Sequence, residues 1–123
     1  MKRLLLLTAL LLVPTDATAE SENTTIQQLY EYCKWPHGSP QSLYCWGFIF
    51  AAGQMMLEIG PEGPKRWQGH LGMCGVKPTD IITADAMVQA FLDTTEAFPE
   101  LGGKPALSGV ILALARTWPC PPK

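Results

Sequence analysis

Residues 39–59 read SPQSLYCWGFIFAAGQMMLEI. Ser39 followed by Pro40 is a strong helix start, because a serine hydroxyl can cap free N–H groups and proline fits the first helical position. No Asp, Glu, Lys or Arg occurs between Lys34 and Glu58. Leu43, Trp46, Gly47, Phe50, Ala51, Gln54 and Leu57 form one helical stripe, and Tyr44, Phe48, Ile49, Met55 and Met56 fill most of the remaining surface. A helix apolar all round belongs at the centre of a bundle or serves an oligomer contact as well. Gly47 and Ala51, one turn apart, would let another helix approach closely. Met55 and Met56 are expected in the core rather than on a binding surface.

Three further helical segments surround this one. Before it, Ile26, Leu29, Tyr30 and Cys33 recur at helical spacing, so a first helix is predicted over roughly 25–34, capped by Thr24 or Thr25 and broken at Pro36-His37-Gly38. After it, Thr79 as N-cap and Asp80 in the first turn open a third helix, whose buried stripe is Ile81, Ala84, Val88, Phe91, Leu92, Thr95 and Phe98. Asp85, Gln89, Asp93 and Glu96 line its other face. Pro99 to Gly103 ends it. A fourth helix begins with Pro105 at its first position, carries Leu107, Val110, Ile111, Leu114 and Trp118, and stops at Pro119. No segment alternates with period two for long, so no β-sheet is expected. The fold class is all-α: a small disulfide-stapled bundle of about four helices.

The chain's first residues are read as a targeting segment. Lys2 and Arg3 precede an apolar run, Leu4 to Val13, and Ala17-Thr18-Ala19 supplies the small residues of a cleavage site after Ala19. Residues 1–19 are thus a signal peptide and 20–123 a single domain. Removing Lys2, Arg3 and Asp16 leaves 7 basic and 10 acidic residues, a net charge of −3. That balance, without a basic patch, argues against nucleic acid and anionic membrane surfaces as partners. After cleavage no membrane association is expected.

All four cysteines, Cys33, Cys45, Cys74 and Cys120, fall after the cleavage site, and an even number in an exported small domain reads as two disulfides. Zinc would want closely spaced pairs, and none of these cysteines lies within ten residues of another. Three connectivities exist. A helical hairpin turning near Ser39 holds Cys33 level with Cys45, and antiparallel third and fourth helices bring Cys74 beside Cys120. Geometry therefore favours Cys33–Cys45 and Cys74–Cys120, with Cys33–Cys120 as the chief rival. Trp118 is expected to pack beside the terminal staple.

Catalytic signals are weak throughout. With the cysteines oxidised, neither His37 nor His70 has a thiol to activate. Ser39, Ser42 and Ser108 lie outside any Gly-x-Ser-x-Gly elbow. The carboxylate pairs Asp80/Asp85 and Glu58/Glu62 read as solvated helix ends. Two histidines without a third ligand read as surface residues rather than a metal site, and no cofactor motif occurs. Asn23-Thr24-Thr25 matches a glycosylation sequon, a pattern common by chance. The 60–78 segment is the exception to this plainness. It is rich in glycine and proline, too long for an ordinary connection, and carries Lys65, Arg66, Trp67 and His70. Arginine and aromatic residues are the usual interface anchors. Trp67 either tucks back onto the bundle or meets a partner.

Taken together, YCWGFIFAAGQMM, CGVKPTDIITADAMVQAFL, FPEL and ALSGVILALARTWPC resemble the Rap/Tai-type periplasmic immunity proteins that protect bacteria from amidase effectors of the type VI secretion system. The resemblance spans nearly the whole chain after Ala19. It implies a periplasmic, non-enzymatic, disulfide-bonded helical protein, often a homodimer. Such a protein would neutralise a secreted peptidoglycan amidase by occluding its cleft, with the 60–73 loop as the plug. The acidic balance would suit a basic cleft. The rival reading is a small periplasmic stress or chaperone-like helical protein that exposes the apolar second helix at low pH.

Overall fold

The computed structural model describes residues 23–62, 71–75 and 81–121, and the backbone at 65, 66, 69 and 70. The proposed signal peptide lies outside these residues. Four helices make up the fold: α1 (Ile26–Cys33), α2 (Pro40–Ile59), α3 (Ala84–Ala97) and α4 (Ala106–Thr117). Every pair of them is in contact. The chain is all-α and stapled by Cys33–Cys45 and Cys74–Cys120, the pairing that geometry favoured. One small addition to the helical plan is a ribbon of two two-residue strands, β1 (Lys65–Arg66) and β2 (Gly69–His70).

α1 starts where its sequence can satisfy free N–H groups twice. The Thr25 hydroxyl accepts from the Gln28 N–H, and the Gln28 side chain accepts from the Thr25 N–H, a reciprocal cap. The strand-like residues before it are knitted to the α3–α4 connection. Ile26 N–H donates to the Lys104 carbonyl, Gln27 N–H to Gly102, and Ala106 N–H to Thr24. This pairing includes the bridge between Thr25 and Pro105. Pro105 is the N-cap of α4 rather than its first helical residue, so the helix begins one residue later than predicted, at Ala106.

The core is built where the helices converge. Leu29, Ile49, Met56, Met73, Met87, Phe91, Val110 and Leu114 are completely or almost completely buried. α1 and α4 approach closely at Gly109, where an added β-carbon would stand 2.6 Å from Ile26 Cγ1. At the far end Tyr30 donates from its hydroxyl to Glu96, joining α1 to α3.

Two expectations are corrected. The stripe read on α2 is not the side that packs: Leu43, Gly47, Phe50, Ala51 and Gln54 are exposed and only Trp46 and Leu57 of it rest against the core, while Ser42, Cys45, Ile49, Ala52, Gly53 and Met56 are buried. A helix apolar on every side carries no periodic contrast to fix its phase. The phase comes from size and from the staple. Gly53 lets Met87 of α3 and Leu114 of α4 come close, and Cys45 must face Cys33. Met56 is core, as expected, but Met55 is 47% exposed.

α3 starts later than predicted. Its N-cap is Thr83, whose hydroxyl accepts from the Ala86 N–H, and Asp85 takes the acidic place in the first turn. Thr79 and Asp80 lie outside the described residues. Ile81 therefore precedes the helix and is 88% exposed instead of buried. Val88, Phe91 and Thr95 do line the core, whereas Leu107 of α4 turns outward.

Candidate partner-binding site

The segment singled out in the sequence emerges from the C-terminal end of α2. Gly60 ends that helix with φ of 50°, a left-handed conformation that glycine adopts freely, and its N–H donates to the Met56 carbonyl. A single 3-10 turn, Gly60–Glu62, follows. The chain then runs out along β1 and back along β2, with Lys65 opposite His70 and Arg66 opposite Gly69. Trp67, Gln68 and residues 63 and 64 lie outside the described residues.

The base of this hairpin is fixed on several sides. Met73 is fully buried, and its N–H donates to the same Met56 carbonyl at 3.1 Å. Cys74 N–H donates to the carbonyl of Trp118 at 3.0 Å, and Cys74 is bonded to Cys120. Gly72 packs against Gly60 so tightly that a β-carbon there would overlap the Gly60 carbonyl oxygen. Thus the outgoing and returning strands are joined to the ends of α2 and α4 within a few residues. The partly buried Trp118 packs against the core.

Of the four residues proposed to meet a partner, Lys65 and His70 are brought into register on paired strands, and Arg66 stands next to them on β1. Trp67 lies outside the described residues. No acidic residue occurs between Glu62 and Asp80, while Lys65, Arg66 and Lys77 are basic, so this end of the chain is locally cationic in a protein whose total charge is negative. The earlier suggestion of an acidic surface facing a basic cleft does not describe this segment.

No grouping of three or more His, Cys, Asp or Glu that could hold a metal occurs among the described residues. His37 is exposed near the start of α2, with its ring edge-on to Trp46 at 5.5 Å. Asp85 and Glu58 are exposed on α3 and α2. All four cysteines are in disulfides, so there is no free thiol. Shallow recesses lie at the other end of the molecule, on both sides of the Tyr44 ring. The hydroxyls of Tyr44 and Thr24 are 3.1 Å apart there, and Tyr32 meets Tyr44 edge-on. Sequence reasoning missed the outward Leu43, Tyr44, Phe50 and Met55, because they could not be told from core residues on an uncharged helix.

No curated protein and no solved structure matches this chain. A model of the family described as Rap1a immunity proteins matches residues 25–120, from the N-cap of α1 to the second cysteine of the terminal staple. With the match spanning all four helices and both disulfides, the chain belongs to the Rap1a immunity protein family.

Proposed function

We propose that this protein is a periplasmic immunity protein that binds a peptidoglycan amidase delivered by a type VI secretion system and blocks its active-site cleft. The family supports a role in neutralising a toxin. The observation that carries the finer reading is the hairpin at residues 60–74. It combines basic and aromatic residues with a base fastened to two helix ends, to the core and to a disulfide. A loop held in shape before binding loses less conformational freedom on complex formation, and this favours affinity. Inhibition by occlusion needs no catalytic group on the inhibitor. Its sites are therefore contact residues: Lys65, Arg66, Trp67 and His70.

The hairpin's cationic character calls for an electronegative partner surface, such as a cleft edged with carboxylates. Export is part of the proposal, since the toxin's substrate lies outside the cytoplasm. Cleavage after Ala19 would leave Glu20 as the first residue.

The test is direct. An immunity role predicts a peptidoglycan amidase gene beside this one; that enzyme is assayed on peptidoglycan with the purified mature protein, and then with Trp67→Ala and Arg66→Glu variants. Stoichiometric inhibition by the native chain is expected, weakened at least tenfold by each substitution with the melting temperature unchanged. Full inhibition by both variants would remove the hairpin from the interface. Absence of any complex, together with a viable deletion strain carrying the active amidase, would remove the immunity reading.

A further inference from the structure

The N-terminal end of α2, away from the hairpin, carries a feature that inhibition by occlusion does not use. Tyr44 stands there as a ridge between two open recesses of about 340 and 320 Å³. Both fall at the lower end of the range of about 300–1,000 Å³ usual for small-molecule sites. Tyr44 and Thr24 line both recesses. Tyr32 and Gln41 also line the first, and Asn23, Phe48 and Leu107 the second.

The ridge is held in place before any ligand arrives. Tyr44 is 46% exposed, yet three neighbours fix its ring. Tyr32 meets it edge-on with ring centroids 5.7 Å apart, Phe48 lies tilted beside it at 6.0 Å, and its hydroxyl is 3.1 Å from that of Thr24. Thr24 is anchored in turn, because its carbonyl accepts from the Ala106 N–H. An aromatic face presented in a set orientation loses little freedom on binding.

The chemistry repeats across the ridge. Each recess offers an aromatic wall and one carboxamide, Gln41 in the first and Asn23 in the second, with the Tyr44 and Thr24 hydroxyls between them. Carboxamides and hydroxyls both donate and accept. Among the described residues that line the recesses none is charged, so nothing there neutralises a phosphate, a carboxylate or an ammonium group. The fitting ligand is neutral, rich in groups that donate and accept, and repeats its chemistry over adjoining units. It also carries a face of C–H bonds to lie on the negative face of the Tyr44 ring.

We infer that this ridge binds a neutral oligosaccharide bearing acetamido groups, with adjacent sugar units on either side of Tyr44. A pyranose ring has hydroxyls around its rim and C–H bonds on its faces. The acetamido group is itself an amide and pairs in both directions with Gln41 and Asn23. Extended peptides are recognised largely through backbone bonds at a sheet edge. Here the Thr24 carbonyl and the Thr25 N–H are already engaged, by Ala106 N–H and the Gln28 side chain, so recognition falls to side chains. Open recesses also suit a polymer that crosses the surface. The inference does not rest on the toxin reading. If that reading holds, such sugars form the glycan strands of the wall the toxin attacks, and the ridge would keep the inhibitor beside them.

Titration of the isotope-labelled mature protein with chitotetraose, a tetramer of N-acetylglucosamine, tests it through amide chemical shifts. Saturable shifts are expected at Asn23, Thr24, Gln41, Tyr44 and Ala106. Cellotetraose, which lacks the acetamido groups, and tetra-alanine should bind severalfold more weakly. Tyr44→Ala should weaken chitotetraose binding about tenfold with its helical circular dichroism retained. Leu43→Ala, at the neighbouring exposed position, should bind as the native chain does. Absence of saturable shifts at millimolar chitotetraose, shifts confined to another surface, undiminished binding by Tyr44→Ala, or equal binding of cellotetraose or tetra-alanine would each overturn the inference.

Discussion

Removing the Cys74–Cys120 bond, as the Cys74→Ala/Cys120→Ala double variant, isolates one contribution to stability and one to binding. The bond closes a separation of 46 residues, against 12 for Cys33–Cys45. In the chain-entropy treatment the longer closure stabilises the fold by about 4 kcal/mol and the shorter by about 3 kcal/mol. For a domain near 100 residues a loss of about 4 kcal/mol lowers the melting temperature by roughly 15–30 °C. It is also a large share of the about 5–15 kcal/mol that holds a typical domain folded. Urea unfolding of the native chain and of each double variant, followed by circular dichroism, measures both losses. The structure adds an asymmetry. Only the Cys74–Cys120 bond fastens the base of the hairpin, so its removal should weaken amidase binding even well below the melting temperature, whereas Cys33→Ala/Cys45→Ala should leave binding near normal. A loss below about 1 kcal/mol, or equal effects of both pairs on binding, would refute the assignment of this staple as the hairpin's anchor.

Five other substitutions examine the remaining structure. Ile49→Ala should cost about 2–5 kcal/mol in thermal or urea unfolding, while Leu43→Ala on the opposite side of α2 should stay within about 0.5 kcal/mol in the protomer. Equal losses would mean that α2 is rotated. Gly109→Ala drives a methyl group into Ile26 and should destabilise by about 1–3 kcal/mol. Gly72→Ala meets backbone rather than a movable side chain, so it should distort the hairpin base and weaken amidase inhibition as well as lowering the melting temperature. Thr25→Ala removes half of the reciprocal cap on α1 and should cost about 1 kcal/mol, read from the same unfolding curves.

The parts of the fold that were legible in the sequence are those written by local chemistry. Ser39 and Pro40 define the start of α2 because the serine hydroxyl accepts from Ser42 N–H and proline has no N–H to satisfy. The disulfide pairing followed from which helix ends must neighbour one another in an antiparallel bundle. The rotation of α2 was not legible. It depends on which small residues face α3 and α4, and an uncharged helix gives no contrast from which to read that. The start of α3 was ambiguous for a similar reason: Thr79 followed by Asp80 and Thr83 followed by Asp85 both offer a capping hydroxyl and an early carboxylate. Tertiary context favoured the second. At the site, composition located the 60–78 segment, but not the backbone bonds from Met73 to Met56 and from Cys74 to Trp118 that fasten it. Those bonds join residues distant in sequence.

The order of the two sulfur bridges has a consequence for how the chain matures. Each cysteine is joined to its neighbour in sequence, first with second and third with fourth. If the chain is exported N-terminus first, as proposed, Cys33 meets Cys45 before Cys74 has appeared, and the third thiol finds no free partner until the fourth arrives. An oxidant that joins thiols in order of appearance therefore arrives at the native arrangement without reshuffling. The hairpin's anchor is the last covalent link to close, so a partly oxidised chain holds its first two helices together while the segment proposed to meet the toxin still lacks its disulfide.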